Sequence, residues 1–478
     1  MTFTFYWHDY ETWGADPRKD RAAQFAGIRT DAELNVIGKP LSIYCQPADD
    51  LLPQPQACLV TGITPQKARQ EGVNEAEFFR AIHQEMAQPG TCGVGYNSVR
   101  FDDECTRFGF YRNFYDPYAR EWQNGNSRWD IIDMVRLTHA LRPEGIVWPK
   151  RENGATSFRL EELTQANGIT HQSAHDALSD VYATIEMARL VQQQQPRLFS
   201  YLLSLRNKRK VGELLNLKTQ TPVLHVSSMY PAEKGCIALV IPVAKHPTNP
   251  NGVIVYDLGV DPRPLLELDE ETIHQRLFTP RDQLPASVER IPLKTVHLNK
   301  CPVIVPLNTL TDQAAERWAI DISQSLANAE RIRQAGHLAS KIEAVHNRQA
   351  FDPITDPDQS LYSGDFFSKD DRSRMDRILT ATPEALAGMA MAFDDPRLPE
   401  MLFRYRARNW PESLTVSERE RWQEYRMDRL TSVDGGGSIT LKVFQQELAR
   451  LMVDPALSPE KKQILSELAD WPALINVA

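Results

Sequence analysis

Short apolar runs separated by polar residues characterise the first 195 residues of this 478-residue chain. Runs at 3–9, 23–30 and 34–45 predict three neighbouring strands, and a run at 91–97 predicts a fourth. Helical periodicity is found at 75–87, 101–112, 130–141, 158–167 and 176–194. Adjacent strands followed by alternating helices and strands predict a mixed α/β sheet with helices on its faces.

The rest of the chain changes from strand patterns to helix patterns. The β-rich runs of residues 196–310, separated by Pro, Gly and Asn, predict a small barrel or sandwich. Helical patterns return at 311–348, the polar stretch 351–364 is typical of a linker, and 365–478 is mostly helical. We therefore expect three domains, at 1–195, 196–348 and 349–478.

Composition narrows the class of protein. A hydrophobic share of 42% and a charged share of 24% are ordinary for a soluble globular protein, and no apolar run is long enough to span a membrane. No secretory signal is visible. The six scattered cysteines form no CxxC pair, which argues against a structural zinc site and against a disulfide framework. We therefore expect the reducing cytoplasm as the compartment. The net charge of −9 argues mildly against nucleic acid as a partner, but local basic clusters matter more than the total.

Two carboxylates end the first predicted strand. Asp9 and Glu11 are two positions apart, so their side chains point to the same face. Like charges this close repel each other, and burial strengthens the repulsion. We expect a basic side chain or a bound cation between them, and a hard cation such as magnesium prefers carboxylate oxygens. The alternative is a strand that simply ends in a polar turn.

Further candidate groups lie at the starts of two predicted helices. Asp102 follows the fourth strand at the beginning of a helix, where the helix dipole tolerates a carboxylate. Asp180 lies one turn into the last helix of this domain, whereas Asp176 has the spacing of a helix cap and is assigned to that structural role. His175 lies in the first turn of the same helix, where the dipole favours a neutral imidazole that can act as a base.

The four acids would meet at one edge of the sheet. They are Asp9, Glu11, Asp102 and Asp180. Four carboxylates there can hold two divalent ions about 4 Å apart, which stabilise the attacking and leaving oxygens of a phosphoryl displacement. His175 could then take a proton from the attacking water.

The order and spacing of these groups resemble the DEDD exonuclease superfamily in its histidine subclass. The three motifs are D-Y-E at 9–11, Y-N-x-x-x-F-D at 96–102 and H-x-x-x-x-D at 175–180. Each motif alone is weak, but the three in this order and spacing are specific. The resemblance implies an RNase H-like fold with a mixed sheet for the first domain.

Four other segments are similar to the bacterial exonuclease I (exodeoxyribonuclease I) family. They lie at 110–130, 195–210, 296–303 and 403–414, so the likeness covers all three predicted domains. The resemblance implies an SH3-like β-barrel domain and a C-terminal helical domain after the RNase H-like exonuclease domain. It also implies a processive 3′→5′ exonuclease that degrades single-stranded DNA to 5′-mononucleotides in DNA repair and recombination, with two Mg²⁺ ions per active site.

A channel that holds a strand without reading its sequence combines cations for phosphates with aromatic platforms for bases. Residues after Asp102 interleave both types, the segment 206–210 is basic, and by the resemblance Arg159 contacts the substrate near the active site. The expected contacts are Glu11, Arg107, Tyr118, Trp122, Arg136, Arg142, Arg159, Tyr201, Lys208 and Lys300. Some aromatic residues of this region must instead belong to the core. No role is predicted for His8, which should face the other side of its strand, or for His171 in a loop.

Two other functions remain open at this point. An RNA 3′-exonuclease would use the same chemistry, and no group that reads a 2′-hydroxyl can be located. A non-catalytic single-strand DNA-binding module is the alternative from another class, and the presence of every acid and the histidine argues against it. The resemblance also implies binding to the acidic C-terminal tail of single-stranded DNA-binding protein, for which Arg142 and the 206–210 segment supply suitable cations. We expect a monomer without membrane association.

Overall fold

The computed structural model describes residues 2–171, 176–348, 354–389 and 391–477, which fold into two compact units. The first unit comprises Met1–Ser127, His171–Ile185 and Pro353–Ala478, and the second comprises Arg128–Thr170 and Glu186–Asp352. The amino-terminal residues and the carboxyl-terminal helices therefore belong to one unit. None of the helices in the described ranges has both the length and the apolar character that crossing a bilayer requires.

A mixed sheet forms the centre of the first unit. Its strands are β1 Thr4–Thr12, β2 Ala22–Thr30, β3 Val36–Tyr44, β4 Thr91–Gly95 and β5 Ser127–Asp130. Within the described residues the sheet has five strands in the order β3-β2-β1-β4-β5. Because β1 pairs antiparallel with β2 and parallel with β4, the predicted mixed sheet is confirmed. The short β5, which begins at the last residue of the first unit, was not predicted.

The central strand β1 is buried because its first half is apolar on both faces. Phe5, Tyr6 and Trp7 are all buried there. The pairing register then places Asp9 opposite Ala26 and Glu11 opposite Gln24 of β2, and the register shifts directly after Glu11. The two acids therefore lie at the end of the central strand of the sheet.

The other predicted acids lie on helices that follow the strands along the chain. Helices α1 to α7 are Pro55–Thr61, Pro65–Glu71, Glu75–Met86, Asp102–Arg112, Ile132–Leu141, Leu160–Ala166 and Ala177–Gln194. As predicted, α4 begins at Asp102, and its first turn also holds Asp103 and Glu104, where the helix dipole stabilises carboxylates. The short helices α1 and α2 each have a proline in their first positions and were not predicted.

The second unit contains an antiparallel sheet. Its strands are β6 Val223–Val226, β7 Ile237–Lys245, β8 Gly252–Asp257, β9 Leu293–His297 and β10 Val303–Pro306. In the part of this unit that the structure describes, five strands follow the order β10-β6-β7-β8-β9, and each neighbouring pair is antiparallel. Helices α8 to α14 are Pro196–Ser204, Lys208–Leu214, Arg263–Glu267, Glu270–Phe278, Asp312–Arg317, Ile322–Gln334 and Leu338–Asn347. The β-rich pattern and the helical pattern that follows it are both confirmed.

The carboxyl-terminal helices pack on the amino-terminal part of the first unit. Helices α15 to α20 are Lys369–Thr380, Pro383–Ala387, Arg397–Asn409, Val416–Thr431, Leu441–Met452 and Pro459–Leu474. Trp13 and Leu52 share one apolar core with Phe444 and Trp471. The helical pattern predicted for this region is confirmed.

The stretch predicted as a linker is structured where it is described. Pro357–Tyr362 forms a 3-10 helix, and Asp358 within it is buried. The prediction was wrong because the partners of Asp358 are Arg404 and Arg408, which lie 46 and 50 residues further along the chain. A polar composition alone does not reveal such distant ion pairs.

Candidate active site

Three carboxylates from two elements meet at the end of β1. Asp9 and Glu11 come from β1, and Asp180 comes from α7. One oxygen of each carboxylate lies within 4.8 Å of an oxygen of both others. Glu11 is buried, and Asp9 and Asp180 are half-buried. The structure therefore brings together three acids that are up to 171 positions apart in the sequence.

The fourth predicted acid, Asp102, lies beside this group and outside its 4.8 Å limit. The backbone N–H of Tyr10, between Asp9 and Glu11 in β1, donates a 3.1 Å hydrogen bond to Asp102 Oδ1. Asp102 is itself only 5% exposed. This bond ties the start of α4 to the end of β1 and keeps the charge of Asp102 close to the other acids.

Burial and mutual repulsion raise the pKa of the clustered carboxyls. For Glu11, burial has the largest effect, and the charges of Asp180, Asp102 and Asp176 raise the pKa further, to about 9. Burial followed by the charges of Asp102, Glu11 and Asp180 raises the pKa of Asp9 well above its ordinary value. A proton or a bound cation relieves this repulsion.

The donor set fits a hard divalent cation. Carboxylate oxygens are the protein ligands that Mg²⁺ prefers, and oxygens bound to one Mg²⁺ lie about 3–4 Å apart because each is about 2.0–2.1 Å from the ion. The oxygens of Asp9, Glu11 and Asp180, which lie within 4.8 Å of one another, are already near that spacing. A bound cation would offset the repulsion between these buried like charges.

A histidine for which no role was predicted also contacts the site. His171 Nε2 lies 2.5 Å from Asp180 Oδ1, and the His171 side chain is 6% exposed. The sequence signalled this contact only by placing a second histidine, His171, four positions before His175. His175 itself, the predicted base, lies outside the described residues.

Two other side chains near the acids have structural contacts. Asp176 Oδ2 accepts a 3.2 Å hydrogen bond from the backbone N–H of Ser179, as a helix cap does. Gln24, opposite Glu11 on β2, donates from Nε2 to Asp176 Oδ1 at 3.5 Å and was not predicted. On the opposite face of β1, the His8 ring stacks on Phe25 with ring centroids 6.2 Å apart.

An aromatic groove lies elsewhere in the first unit, and we define it by Tyr118, Trp122, Tyr362 and Phe366. The groove encloses about 810 Å³ and is also lined by Arg372. Trp122 is 65% exposed and Phe366 is 80% exposed, which is unusual for such large apolar side chains. Tyr118 and Phe366 meet edge to face with ring centroids 6.2 Å apart. Tyr362 and Phe366 were not predicted, although the sequence LYSGDFF contains three aromatic residues.

Arg107 lies beneath this groove and is almost completely buried. Its guanidinium makes a bidentate ion pair with Glu121, at 2.7 and 2.8 Å, and a further bond of 2.9 Å to Glu104. It also donates to the Tyr362 hydroxyl at 3.0 Å and lies 5.2 Å from the centroid of the Tyr118 ring. Arg107 thus connects two aromatic residues of the groove to two carboxylates.

Other aromatic residues that follow Asp102 belong to the core, as some were expected to. Tyr111 is 2% exposed and stacks on Phe367, with ring centroids 5.9 Å apart. Tyr115 is buried and stacks on His83. These rings have no exposed face to offer a base.

The remaining predicted contacts lie in the second unit, and three of them are arginines. Arg136 pairs with Asp133 at 2.6 Å. Arg142 donates to two backbone carbonyls, those of Leu141 at 2.6 Å and Thr309 at 3.3 Å. Arg159 precedes α6 and is well exposed, with 68% of its side-chain surface accessible.

The other three predicted contacts of this unit are Tyr201, Lys208 and Lys300. The Tyr201 hydroxyl donates to the backbone carbonyl of Ile304 at 3.0 Å. Lys208 is exposed at the start of α9. Lys300 is close enough to His297 to affect its pKa, which burial and then the Lys300 charge lower to about 4.

Comparison with known sequences decides the family. Three family models match the chain. The model described as Exonuclease matches residues 6–188, the Exonuclease I SH3-like domain matches 206–348, and the Exonuclease I C-terminal domain matches 355–475. Exodeoxyribonuclease I of Escherichia coli (strain K12) is 48% identical over 466 residues, which cover 97% of this chain and 96% of the relative. The chain belongs to the exonuclease I family.

Solved structures of exonuclease I proteins agree with this assignment. An exonuclease I from the moderately thermophilic Methylocaldum szegediense matches with a TM-score of 0.96 and 52% identity over 100% of both chains. The zinc-bound form of the E. coli exonuclease I complex with single-stranded DNA matches with a TM-score of 0.94 and 48% identity, also over 100% of both chains. The predicted fold class of an exonuclease domain, an SH3-like domain and a C-terminal helical domain is confirmed. This member of the exonuclease I family is a hydrolase that acts on DNA.

Proposed function

We propose that this chain is a processive, magnesium-dependent 3′→5′ exonuclease that degrades single-stranded DNA to 5′-mononucleotides and serves DNA repair and recombination. The observation that carries the proposal is the meeting of Asp9, Glu11 and Asp180 within 4.8 Å, with Asp102 tied to the same strand. The E. coli relative that was crystallised with zinc and single-stranded DNA supports the choice of a divalent cation and of this substrate.

The four acids Asp9, Glu11, Asp102 and Asp180 would hold two Mg²⁺ ions. Such ions, when bound, stabilise the attacking and leaving oxygens of an in-line phosphoryl displacement. The carboxyls ligate as carboxylates, so binding has to displace the protons that the raised pKa values of Asp9 and Glu11 favour. Glu11 is buried at the end of β1, and we propose that it also contacts the terminal nucleotide.

The proposed role of His175 is to accept the proton of the attacking water. The water oxygen forms a bond to the phosphorus of the terminal phosphodiester, and the bond from phosphorus to the 3′ oxygen of the preceding nucleotide breaks. The leaving oxygen takes up a proton from solvent. The released nucleotide keeps the phosphate on its 5′ carbon, and the shortened strand ends in a 3′ hydroxyl. Repeating these steps from the new end gives 3′→5′ degradation.

The aromatic groove of the first unit would hold the bases of the strand. Its exposed rings provide stacking surfaces that tolerate any base, which suits binding without sequence preference. Bases of a duplex are already stacked on their neighbours, so the groove favours single strands. We propose that Arg107 acts here by fixing Tyr118 and Tyr362, because Glu104 and Glu121 already neutralise its guanidinium.

In the second unit, the proposed strand contacts are the predicted Arg136, Arg142, Arg159, Tyr201, Lys208 and Lys300. We also propose that Arg142 and the basic segment 206–210 bind the acidic C-terminal tail of single-stranded DNA-binding protein. Titration of a tail peptide tests this second proposal. Unchanged affinity after Arg142→Ala would remove that residue from the site.

Digestion of one DNA strand labelled at either end tests the proposed activity. With Mg²⁺ present and enzyme limiting, a 3′ label should appear at once in mononucleotides, whereas a 5′ label should pass from the full-length strand to the shortest products with few strands of intermediate length. An RNA strand of the same sequence tests the alternative substrate. Binding without cleavage in any divalent metal would instead identify a non-catalytic module.

Asp9→Ala links this activity to the carboxylate cluster. Cleavage should be abolished, because one of the proposed metal ligands is lost, while single-strand binding measured in EDTA should remain. Glu77→Ala, which removes an exposed carboxylate from the first turn of α3, is the matched control and should digest normally. Digestion by Asp9→Ala at the wild-type rate would show that the proposed metal site is wrong.

A further inference from the structure

His171 and Asp180 form a close contact at the edge of the carboxylate cluster. The distance from His171 Nε2 to Asp180 Oδ1 is 2.5 Å. When Asp180 is ionised, as a cation ligand has to be, its carboxylate only accepts hydrogen bonds, so the imidazole is then the donor in this contact. The residues are nine positions apart, and both side chains are largely shielded from solvent, with 6% and 18% of their surfaces exposed.

The same Asp180 carboxylate faces Asp9 and Glu11. One of its oxygens lies within 4.8 Å of oxygens on both of these residues. A carboxylate on a free side chain rotates about its terminal bond, and a hydrogen bond to one oxygen limits that rotation. The bond from His171 therefore affects the direction in which Asp180 presents its oxygens to the cluster.

We propose that His171 is a positioning residue for the cation site, which orients Asp180 toward Asp9 and Glu11 by donating a hydrogen bond from Nε2. The inference rests on the proposed function, in which Asp180 ligates a divalent cation. Hydrogen-bond partners of this kind hold a ligating carboxylate in place, and their loss typically lowers metal affinity or activity by about 10- to 100-fold. This role differs from the one proposed for His175, because His171 acts on a ligand and not on the attacking water.

The opposite effect is the competing interpretation. If His171 only occupies an oxygen that a cation needs, its removal would expose Asp180 and strengthen cation binding. If His171 only fills space in the fold, its removal would lower stability and leave cation affinity unchanged. After removal of His171, the three interpretations therefore predict a loss, a gain and no change in cation affinity.

Titration of the DNA-free protein with Mn²⁺ by calorimetry measures that quantity without any turnover. His171→Ala should bind Mn²⁺ about 10- to 100-fold more weakly than the wild type. His171→Gln should retain most of the affinity, because its amide can still donate to Asp180. His83→Ala removes an imidazole from α3 of the same unit and should leave the Mn²⁺ affinity unchanged. His171→Phe fills the space without a donor and replaces His171→Ala if that variant does not fold.

The Asp180→Asn background shows whether His171 acts through Asp180. There, the additional His171→Ala change should cause no further loss of Mn²⁺ affinity, because the coupling between the two residues is already gone. Equal losses in both backgrounds would overturn the inference, as would unchanged or tighter Mn²⁺ binding by folded His171→Ala. A wild type whose Mn²⁺ binding is absent or insensitive to Asp9→Ala would overturn the proposed metal site itself, and this inference with it.

Discussion

Arg408 and Asp358 form an ion pair that is buried within the first unit. Arg408 Nη2 lies 2.7 Å from Asp358 Oδ2, and the side chains are 3% and 7% exposed. The same guanidinium nitrogen lies 2.9 Å from Asp50, which also pairs with Arg21. These contacts tie α17 to the residues before α1 and to the 3-10 helix that ends at Tyr362. The ion-pair network therefore fixes one wall of the aromatic groove.

Removing the charge of Asp358 should destabilise the protein strongly. In Asp358→Asn, the buried guanidinium groups of Arg404 and Arg408 lose a shared counter-charge, and breaking a buried pair in this way costs about 3–5 kcal/mol. The free energy of unfolding in urea gives this value. The control is Glu447→Gln, which breaks an exposed pair with Arg450 and should cost about 0–1 kcal/mol. Equal losses in the two variants would contradict a stabilising role for the network.

The protonation of Glu11 should make the stability of the metal-free protein depend on pH. Burial and the neighbouring acids raise the pKa of Glu11 to about 9 in the folded state, whereas an unfolded glutamate titrates near its ordinary value of about 4.3. Between these values the folded state keeps a proton that the unfolded state loses, so stability falls as pH rises. The contribution of Glu11 is fully present below the lower value and is lost as pH rises through the higher one.

Melting temperatures in EDTA between about pH 6 and about pH 9 measure this effect. This range lies above the pKa of the unfolded glutamate and reaches the folded pKa of about 9. We expect the melting temperature to fall with rising pH and Glu11→Gln to show a shallower slope. Saturating Mg²⁺ should reduce the fall, because a cation stabilises the deprotonated form. Identical slopes for the wild type and Glu11→Gln would show that Glu11 titrates near its ordinary value.

The exposed rings of the groove should contribute directly to strand binding. Stacking of one base on an aromatic side chain is worth about 1–3 kcal/mol, so Trp122→Ala and Phe366→Ala should each weaken single-strand affinity by about 5- to 150-fold. Fluorescence anisotropy in EDTA measures binding without cleavage, and affinity should also decrease with added salt because phosphate contacts release counterions. Val433→Ala, an exposed apolar residue outside the groove, is the control. Wild-type affinity in both aromatic variants would exclude the groove as the strand site.

Much of the fold follows from local patterns in the sequence. The apolar run of β1 and the helical patterns of α3 and α4 each predicted the element that forms. The strand β5 was missed because its four residues, SRWD, carry a single apolar side chain and no alternation. Asp358 was assigned to a linker because the arginines that bury it come from a distant helix.

Within the site, sequence spacing predicted which side chains share a face, whereas contacts between separate segments could not be predicted. Positions 9 and 11 had to share a face of one strand, and that alone placed two acids together. The contact of His171 with Asp180 depends on tertiary structure, which no periodicity encodes. Arg107 could not be recognised as buried, because its partner Glu121 lies 14 residues away in a segment without a regular pattern.

His175 is the proposed general base, so its removal should slow the chemical step. His175→Ala should lower kcat by about 10²–10⁴-fold, and we expect the lower part of that range because a bound cation also lowers the pKa of the attacking water. The residual rate should rise toward alkaline pH, where hydroxide replaces the missing base. Mn²⁺ affinity and strand binding should stay close to those of the wild type, which separates this residue from His171. Single-turnover rate and melting temperature measured on one preparation distinguish catalysis from packing. A stable His175→Ala protein with a near wild-type single-turnover rate would end the general-base assignment.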